Sequence, residues 1–186
     1  RCSWCPYVVA QGQSFRACSP DRVVHELREV VRSYHPRRII VRDPAFPHDA
    51  RRLEQICRRI IGDRTLRPGK RLIWECESRP EYLERRLLRL MSLAGCVGVK
   101  IGLETTDPDL LYSLHRLPTP RFAARYLARV ASLARDCANL GIAYRVFAMV
   151  GLPGQTLKSV QETAGFVQAL RPFALSTKAL KIYPEL

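Results

Sequence analysis

Two cysteines open the chain in the run "RCSWCPY", with Cys2 and Cys5 separated by Ser3 and Trp4 and followed by Pro6 and Tyr7. A Cys-x-x-Cys pair serves redox exchange, half of a zinc site, or part of an iron–sulfur site. A redox pair sits at a helix start, where the dipole lowers the thiol pKa. Here Pro6 follows at once, and the next helix-start signal comes only at Ser19–Pro20. A zinc site needs two further ligands. The chain has no second Cys-x-x-Cys, and His25, His35, His48 and His115 have no ligand spacing. An iron–sulfur cluster takes thiolates from one short loop, and it fits if a further ligand precedes Arg1. Cys18 follows in the same loop at a spacing that matches no cluster pattern, and the adjoining helix start suits local packing.

The remaining polar chemistry falls at the ends of predicted strands. "SPDRVVHELREVVRSYH" starts a helix with Ser19 as cap, Pro20 at the first position and Asp21 against the dipole. Val23, Val24, Leu27, Val30 and Val31 form its apolar stripe. "RRIIVRD" then reads as a short buried strand. The alternation repeats: helix "HDARRLEQICRRII", strand "RLIWECE", one helix over "PEYLERRLLRLMSLA", and strand "VGVKIGLE". Helices "DPDLLYSLHR" and "PRFAARYLARVASLARDCANL" precede strand "IAYRVFAMV", and helix "GQTLKSVQETAGFVQAL" precedes strand "ALSTKALKIY".

Helical crossovers make neighbouring strands parallel. Five strands, with one more expected just ahead of Arg1, predict an α/β fold: a partial (β/α)6 TIM-like barrel lacking its first strand here. A doubly wound open sheet is the alternative. Either form binds ligands at the carboxyl ends of its strands. Those ends carry the Cys-x-x-Cys loop, Asp43, Glu77-Ser78-Arg79, Glu104-Thr105-Thr106 and the turn Gly151-Leu152-Pro153-Gly154. Each carboxylate alone also fits a helix cap or a solvated surface, and the turn alone fits a plain βα connection; their joint placement on one rim points to a site. Glu75 and Glu77 share one face of their strand, with Trp74 and Cys76 on the other. Glu77, nearer the strand end, is the better candidate, with Glu75 as its supporting partner.

Composition bounds the reading. The 186 residues are 47% hydrophobic and 26% charged, as expected of one soluble globular domain. No apolar run approaches the ~20 residues of a membrane span. There is no signal-peptide pattern and no initial Met, so the chain is expected to be a piece of a longer protein. Net charge is +14. The arginines are scattered on helices, as in Arg51–Arg52, Arg58–Arg59 and Arg85–Arg86, so a solvated face is favoured over a nucleic-acid surface. Cys57, Cys76, Cys96 and Cys137 lie in apolar-periodic stretches, as core thiols do in a reducing cytoplasm.

The ordered runs "CSWCPY", "RACSPDRVVHEL", "IIVRDPAF", "LIWECESRPEYL", "LAGCVGVKIGLETTDPDLL" and "FAMVGLPGQT" resemble the core domain of radical S-adenosylmethionine enzymes. The likeness covers residues 1–186 almost throughout and is greatest for the branch that carries a cobalamin-binding domain ahead of that core. The family hallmark is Cys-x-x-x-Cys-x-x-Cys. Cys2 and Cys5 match its second and third cysteines, which puts the first three residues before Arg1. By this resemblance, Cys2 and Cys5 are ligands of a 4Fe–4S cluster whose open iron is chelated by S-adenosylmethionine. Trp4 packs near the adenine, Asp43 meets the methionine amino group, and Glu77 and Glu104 meet the methionine portion or the ribose. Arg116 meets the carboxylate, and the backbone of Gly151, Pro153 and Gly154 passes the adenine. Some relatives carry an acid where this chain has Phe147, so no ribose contact is assigned there.

The implied reaction is reductive cleavage of S-adenosylmethionine to a 5′-deoxyadenosyl radical that abstracts hydrogen from a small-molecule substrate. An electron donor such as flavodoxin or ferredoxin is implied as partner. Methylation or rearrangement with cobalamin held by a preceding domain is implied by the branch. An RNA- or protein-modifying methylthiotransferase is the alternative within the same chemistry, and a non-catalytic basic module with structural zinc is the alternative outside it. Residues 1–186 alone are expected neither to hold an intact cluster nor to be active.

Overall fold

The structure is a computed structural model that describes Cys5, Tyr7, Gly12 and residues 14–181. Cys2 and Trp4 lie outside the described residues. The first described helix, α1 (Pro20–Tyr34), starts as its sequence predicts: Ser19 Oγ accepts from Arg22 N at 3.2 Å, with Pro20 in the first turn. The order continues β1 (Ile39–Val41), α2 (Ala50–Gly62), β2 (Trp74–Ser78), α3 (Arg85–Leu93), β3 (Cys96–Glu104) and α4 (Pro108–Ser113). It ends with α5 (Ala123–Asn139), β4 (Ala143–Val150), α6 (Leu157–Leu170) and β5 (Ala174–Ala179).

All adjacent strands pair in parallel, and their spatial order is β1-β2-β3-β4-β5. A doubly wound sheet reverses its strand order at a switch point; this sheet does not. The fold is therefore the α/β partial barrel that the alternation predicts. No helix among the described residues is long and apolar enough to cross a membrane.

The two faces of the sheet differ. Trp74 and Cys76 of β2, Val99, Ile101 and Leu103 of β3, and Tyr144 and Val146 of β4 join one buried core with Leu53, Ile56, Leu88, Val130 and Leu133 of the helices. On the inner face the register aligns Glu77 with Lys100 and Lys100 with Arg145. Lys100 is buried and its Nζ lies 3.4 Å from Glu75. Glu75 and Glu77 thus share the inner face, and Trp74 and Cys76 the outer one, as their alternation requires.

One predicted helix is broken. The run over residues 80–94 forms a 3-10 turn at Pro80–Tyr82 and then α3. Leu83, fully buried, leaves helical geometry at φ −103° and ψ 69°. Arg129 of α5 holds the break open by donating to the carbonyls of Pro80, at 3.3 Å, and Leu83. Apolar periodicity alone does not reveal a carbonyl taken by a distant arginine.

Cys57, Cys76, Cys96 and Cys137 are buried core residues, as their periodicity predicts, whereas Cys18 is exposed. Burial first, then the neighbouring Cys96, pushes the thiols of both Cys57 and Cys137 up to about 12. Such thiols are inert because the thiolate is the nucleophile. Brief iodoacetamide treatment of the native protein, read by peptide mass spectrometry, is expected to label Cys18 and spare these four. Labelling of Cys57 or Cys137 at the rate of Cys18 refutes that placement.

Candidate functional site at the strand ends

The carboxyl ends of the strands bring the predicted residues to one rim in two groups. The first surrounds a cavity of about 640 Å³ between α1, β1 and α2. Asp43, just past β1, lines it together with Tyr7, Gly12 and Ser14. Cys5 is a half-buried free thiol. Cys18 lines the same cavity and accepts from Arg52 Nε at 2.8 Å through its carbonyl, in keeping with local packing. Among the described residues no three His, Cys, Asp or Glu stand together so as to hold a metal ion.

The second group lies over β2 and β3. Glu104 ends β3 in an unusual conformation. The register with β4 slips between Gly102 and Glu104, Thr105 N donates to Leu103 O at 2.9 Å, and Glu104 has φ +67°. A three-residue turn around a non-glycine residue at positive φ is strained, and strain of this kind gathers at functional sites. The bulge re-aims the side chain so that Glu104 Oε1 lies over Gly102, in the space a Cβ there would fill. Thr163 of α6 pins the following loop, accepting from Thr106 N at 3.0 Å and lying 3.3 Å from Thr105 Oγ1. Burial raises the Glu104 carboxyl to about 7, against the opposing pull of Arg116 and Arg79.

Arg116 is buried beside it. Its Nη1 and Nη2 pair with both oxygens of Glu81 at 2.8 and 3.1 Å. Nη2 also lies 3.2 Å from Tyr126 Oη and 3.4 Å from Gly102 O, and the guanidinium stands 4.9 Å from the Tyr126 ring centroid. Burial would raise Glu81, but the charge and hydrogen bonds of Arg116 outweigh it and hold the carboxyl low. Arg79 reaches Glu81 Oε1 at 3.3 Å through Nη2 and packs 5.8 Å from the Tyr82 ring. Its Nε is buried without a hydrogen-bond partner.

Glu77 belongs to neither group directly: it pairs with Arg42 at 3.2 Å on the inner face. The turn after β4 is shaped for close backbone approach. Gly151 and Gly154 have φ +75° and +79°, and Gln155 braces the turn by donating to Met149 O at 3.1 Å and accepting from Leu152 N at 3.3 Å. Leu152 packs with Leu110, Leu114 and Met149 in a small apolar cluster beside it. Ring contacts link the two groups, Phe15 to His48 at 4.8 Å and His48 to Tyr82 at 5.1 Å. Glu81 and Tyr126 were not singled out from sequence, and Arg79 was named only as part of the strand end after Glu77. A carboxylate in the turn just past a strand end is the one signal that could have pointed to Glu81.

Comparison with known proteins gives the class. The Radical SAM superfamily profile matches residues 1–167, and the chain belongs to that family. It is 27% identical over 168 residues to tryptophan 2-C-methyltransferase of Streptomyces laurentii, covering 87% of this chain and 27% of that protein. It is 23% identical over 169 residues to an uncharacterized methyltransferase of Pyrococcus horikoshii, covering 91% of this chain and 34% of that one. The chain therefore spans about a quarter to a third of the length of these relatives. Among solved structures it superposes on the radical S-adenosylmethionine methyltransferase TsrM of Kitasatospora setae, bound to cobalamin and a [4Fe-4S] cluster. The TM-score is 0.85 at 23% identity, over 99% of this chain and 35% of that one. The cobalamin-dependent radical enzyme OxsB gives a TM-score of 0.67 at 17% identity, over 89% of this chain and 24% of that one.

The raised Glu104 carboxyl sets a pH dependence. Its folded value of about 7 exceeds the ordinary 4.5, so the folded state holds the extra proton between those values and stability falls as pH rises through that window. Glu104→Gln is expected to flatten this fall and to stabilise the ligand-free protein at pH 8. Urea unfolding of both forms at pH 5 and pH 8 checks it; an unchanged pH difference sinks the assignment. Glu81→Ala, which strips the buried Arg116 of its counter-charge, is expected to cost about 2–4 kcal/mol, and Glu81→Gln less. Equal stability of Glu81→Ala and the parent protein refutes the pairing.

Proposed function

We propose that this chain is the core of a radical enzyme that binds S-adenosylmethionine at the rim between Asp43, Glu77, Glu104, the Arg79–Arg116 pair and the Gly151–Gly154 turn. Cys2 and Cys5 would hold the 4Fe–4S cluster together with a cysteine preceding Arg1, with Trp4 beside the adenine. Held there, the cluster would supply the single electron that splits the sulfonium C5′–S bond into methionine and a 5′-deoxyadenosyl radical, which would take hydrogen from the substrate. The observation that carries the reading is Glu104. Its carboxyl is bent over Gly102 by a strained turn, within electrostatic reach of the Arg116 and Arg79 guanidiniums.

The donor set fits the ligand. A sulfonium with an amino-acid tail and a ribose needs carboxylates for its ammonium and hydroxyls, a base for its carboxylate and an apolar surface for adenine. Glu104 carries its proton below about pH 7 and releases it when an ammonium arrives, since an adjacent cation favours the charged form. Asp43 stands exposed at the cavity that Tyr7, Gly12 and Ser14 also line. Glu77, steadied by Arg42, faces the barrel interior. Gly151 and Gly154 let backbone approach the base closely, with Leu152 and Met149 as apolar backing.

Methylation of a small molecule with cobalamin is the outcome we favour, rearrangement being the other. Its support is the methyltransferase named at 27% identity and the cobalamin-bound TsrM structure. The buried reduced thiols agree with a cytoplasmic setting, where a flavodoxin or ferredoxin would supply the electron. Many surface arginines pair with acids on their own or adjacent helices, as Arg22 with Glu26 and both Arg58 and Arg86 with Glu54. Those pairs reduce the positive surface left for nucleic acid and favour the small-molecule reading over RNA modification.

Anaerobic purification of the full-length protein is expected to yield about four irons per chain with matching sulfide. Addition of a reductant is expected to release methionine from S-adenosylmethionine even without substrate. Stoichiometric zinc without cleavage would overturn the reading.

A further inference from the structure

We propose that Arg79, and not Arg116, takes the carboxylate of S-adenosylmethionine, Arg116 being the positioning residue behind it; this rests on the function proposed above. The resemblance to the family placed the carboxylate on Arg116. The geometry divides the two guanidiniums differently.

Arg116 is spent on the protein. Its side chain is 2% exposed, it grips both oxygens of Glu81, and it also lies against Tyr126 Oη and Gly102 O. A ligand carboxylate there must displace Glu81, leaving one of two carboxylates in a half-buried place without its partner. Removing one member of a buried pair is strongly unfavourable.

Arg79 is in the opposite condition. Its side chain is 35% exposed, its one polar contact to Glu81 is long at 3.3 Å, and its Nε–H is buried without an acceptor. A buried donor left unmade is destabilising, and the side chain gains by turning that donor toward an acceptor that reaches the rim. The Nε–H and Nη–H donors of an arginine form a fork that matches a carboxylate. The Tyr82 ring supports the guanidinium from one face. Arg79 is also close enough to Glu104 to lower its carboxyl pKa. Glu104 and Arg79 thus place an acidic and a basic group on the same rim, as the ammonium and carboxylate of an amino-acid tail require.

The test uses the full-length, cluster-loaded protein and equilibrium binding of two probes, S-adenosylmethionine and its decarboxylated analogue. The parent protein is expected to prefer the carboxylate-bearing probe. Arg79→Ala is expected to reduce that preference by about tenfold or more, with little change for the analogue. Arg79→Lys, which keeps the charge but not the fork, should fall between them. Iron content and circular dichroism report folding, and Arg79→Gln serves where Arg79→Ala does not fold. A preference unchanged within about twofold in the Arg79 variants overturns the assignment. Failure of the unmutated protein to bind S-adenosylmethionine overturns the underlying function, and the assignment with it.

Discussion

The buried guanidinium of Arg116 is the point on which the upper half of the barrel depends. A permanent charge at 2% exposure is tolerated only with a counter-charge and full hydrogen bonding. Meeting that requirement ties together four segments distant in sequence. Glu81 comes from the turn after β2, Gly102 from β3, Tyr126 from α5, and Arg116 itself follows α4. Tyr126 Oη closes the group by donating to Gly102 O at 2.9 Å. The same constraint explains the broken helix. An unbroken helix over residues 80–94 would not leave Glu81 in the turn from which it meets Arg116, and Arg129 secures the break from α5.

Around this pair the sheet separates two functions. Its outer face is apolar and buried under the helices, so stability resides there. Its inner face carries Glu75, Glu77, Lys100 and Arg145, with Gly98 and Gly102 between them. A closed TIM barrel fills its interior with branched apolar side chains. This inner face instead mixes charges and glycines with Ile40 and Phe147, and a bulge at the end of β3 re-aims a carboxylate over Gly102.

Much of this was legible in the sequence. Short stretches between amphipathic helices, most with apolar residues on at least alternate positions, marked the five strands, because one face of the sheet packs under the helices. Ser19, Pro20 and Asp21 marked α1 through capping chemistry that is local by nature. Asp43, Glu77, Glu104 and the Gly151–Gly154 turn were singled out because parallel strands point every carboxyl end to one rim. What was not legible depended on contacts across 10 to 35 residues, as between Arg116 and Tyr126 or Glu81. The conformation of Glu104 was equally hidden, since a register slip against β4 belongs to two strands at once. Glu77 was placed correctly by alternation, but its partner Arg42 lies on the neighbouring strand's exit and carried no pattern of its own.

The rim therefore combines a fixed element with an adjustable one. Arg116 and Glu81 satisfy each other and need no ligand to be stable. Glu104 and Arg79 do not. One is a carboxyl held in a strained turn and protonated near neutrality; the other is a guanidinium with a buried donor left over. Such groups are destabilising in the ligand-free protein, and they persist only because neighbouring structure over-determines them. Thr163 pins the loop beyond Glu104, and Tyr82 supports Arg79. The ligand proposed above carries both complementary charges, and its ammonium and carboxylate would satisfy the two groups that the ligand-free rim leaves incompletely satisfied.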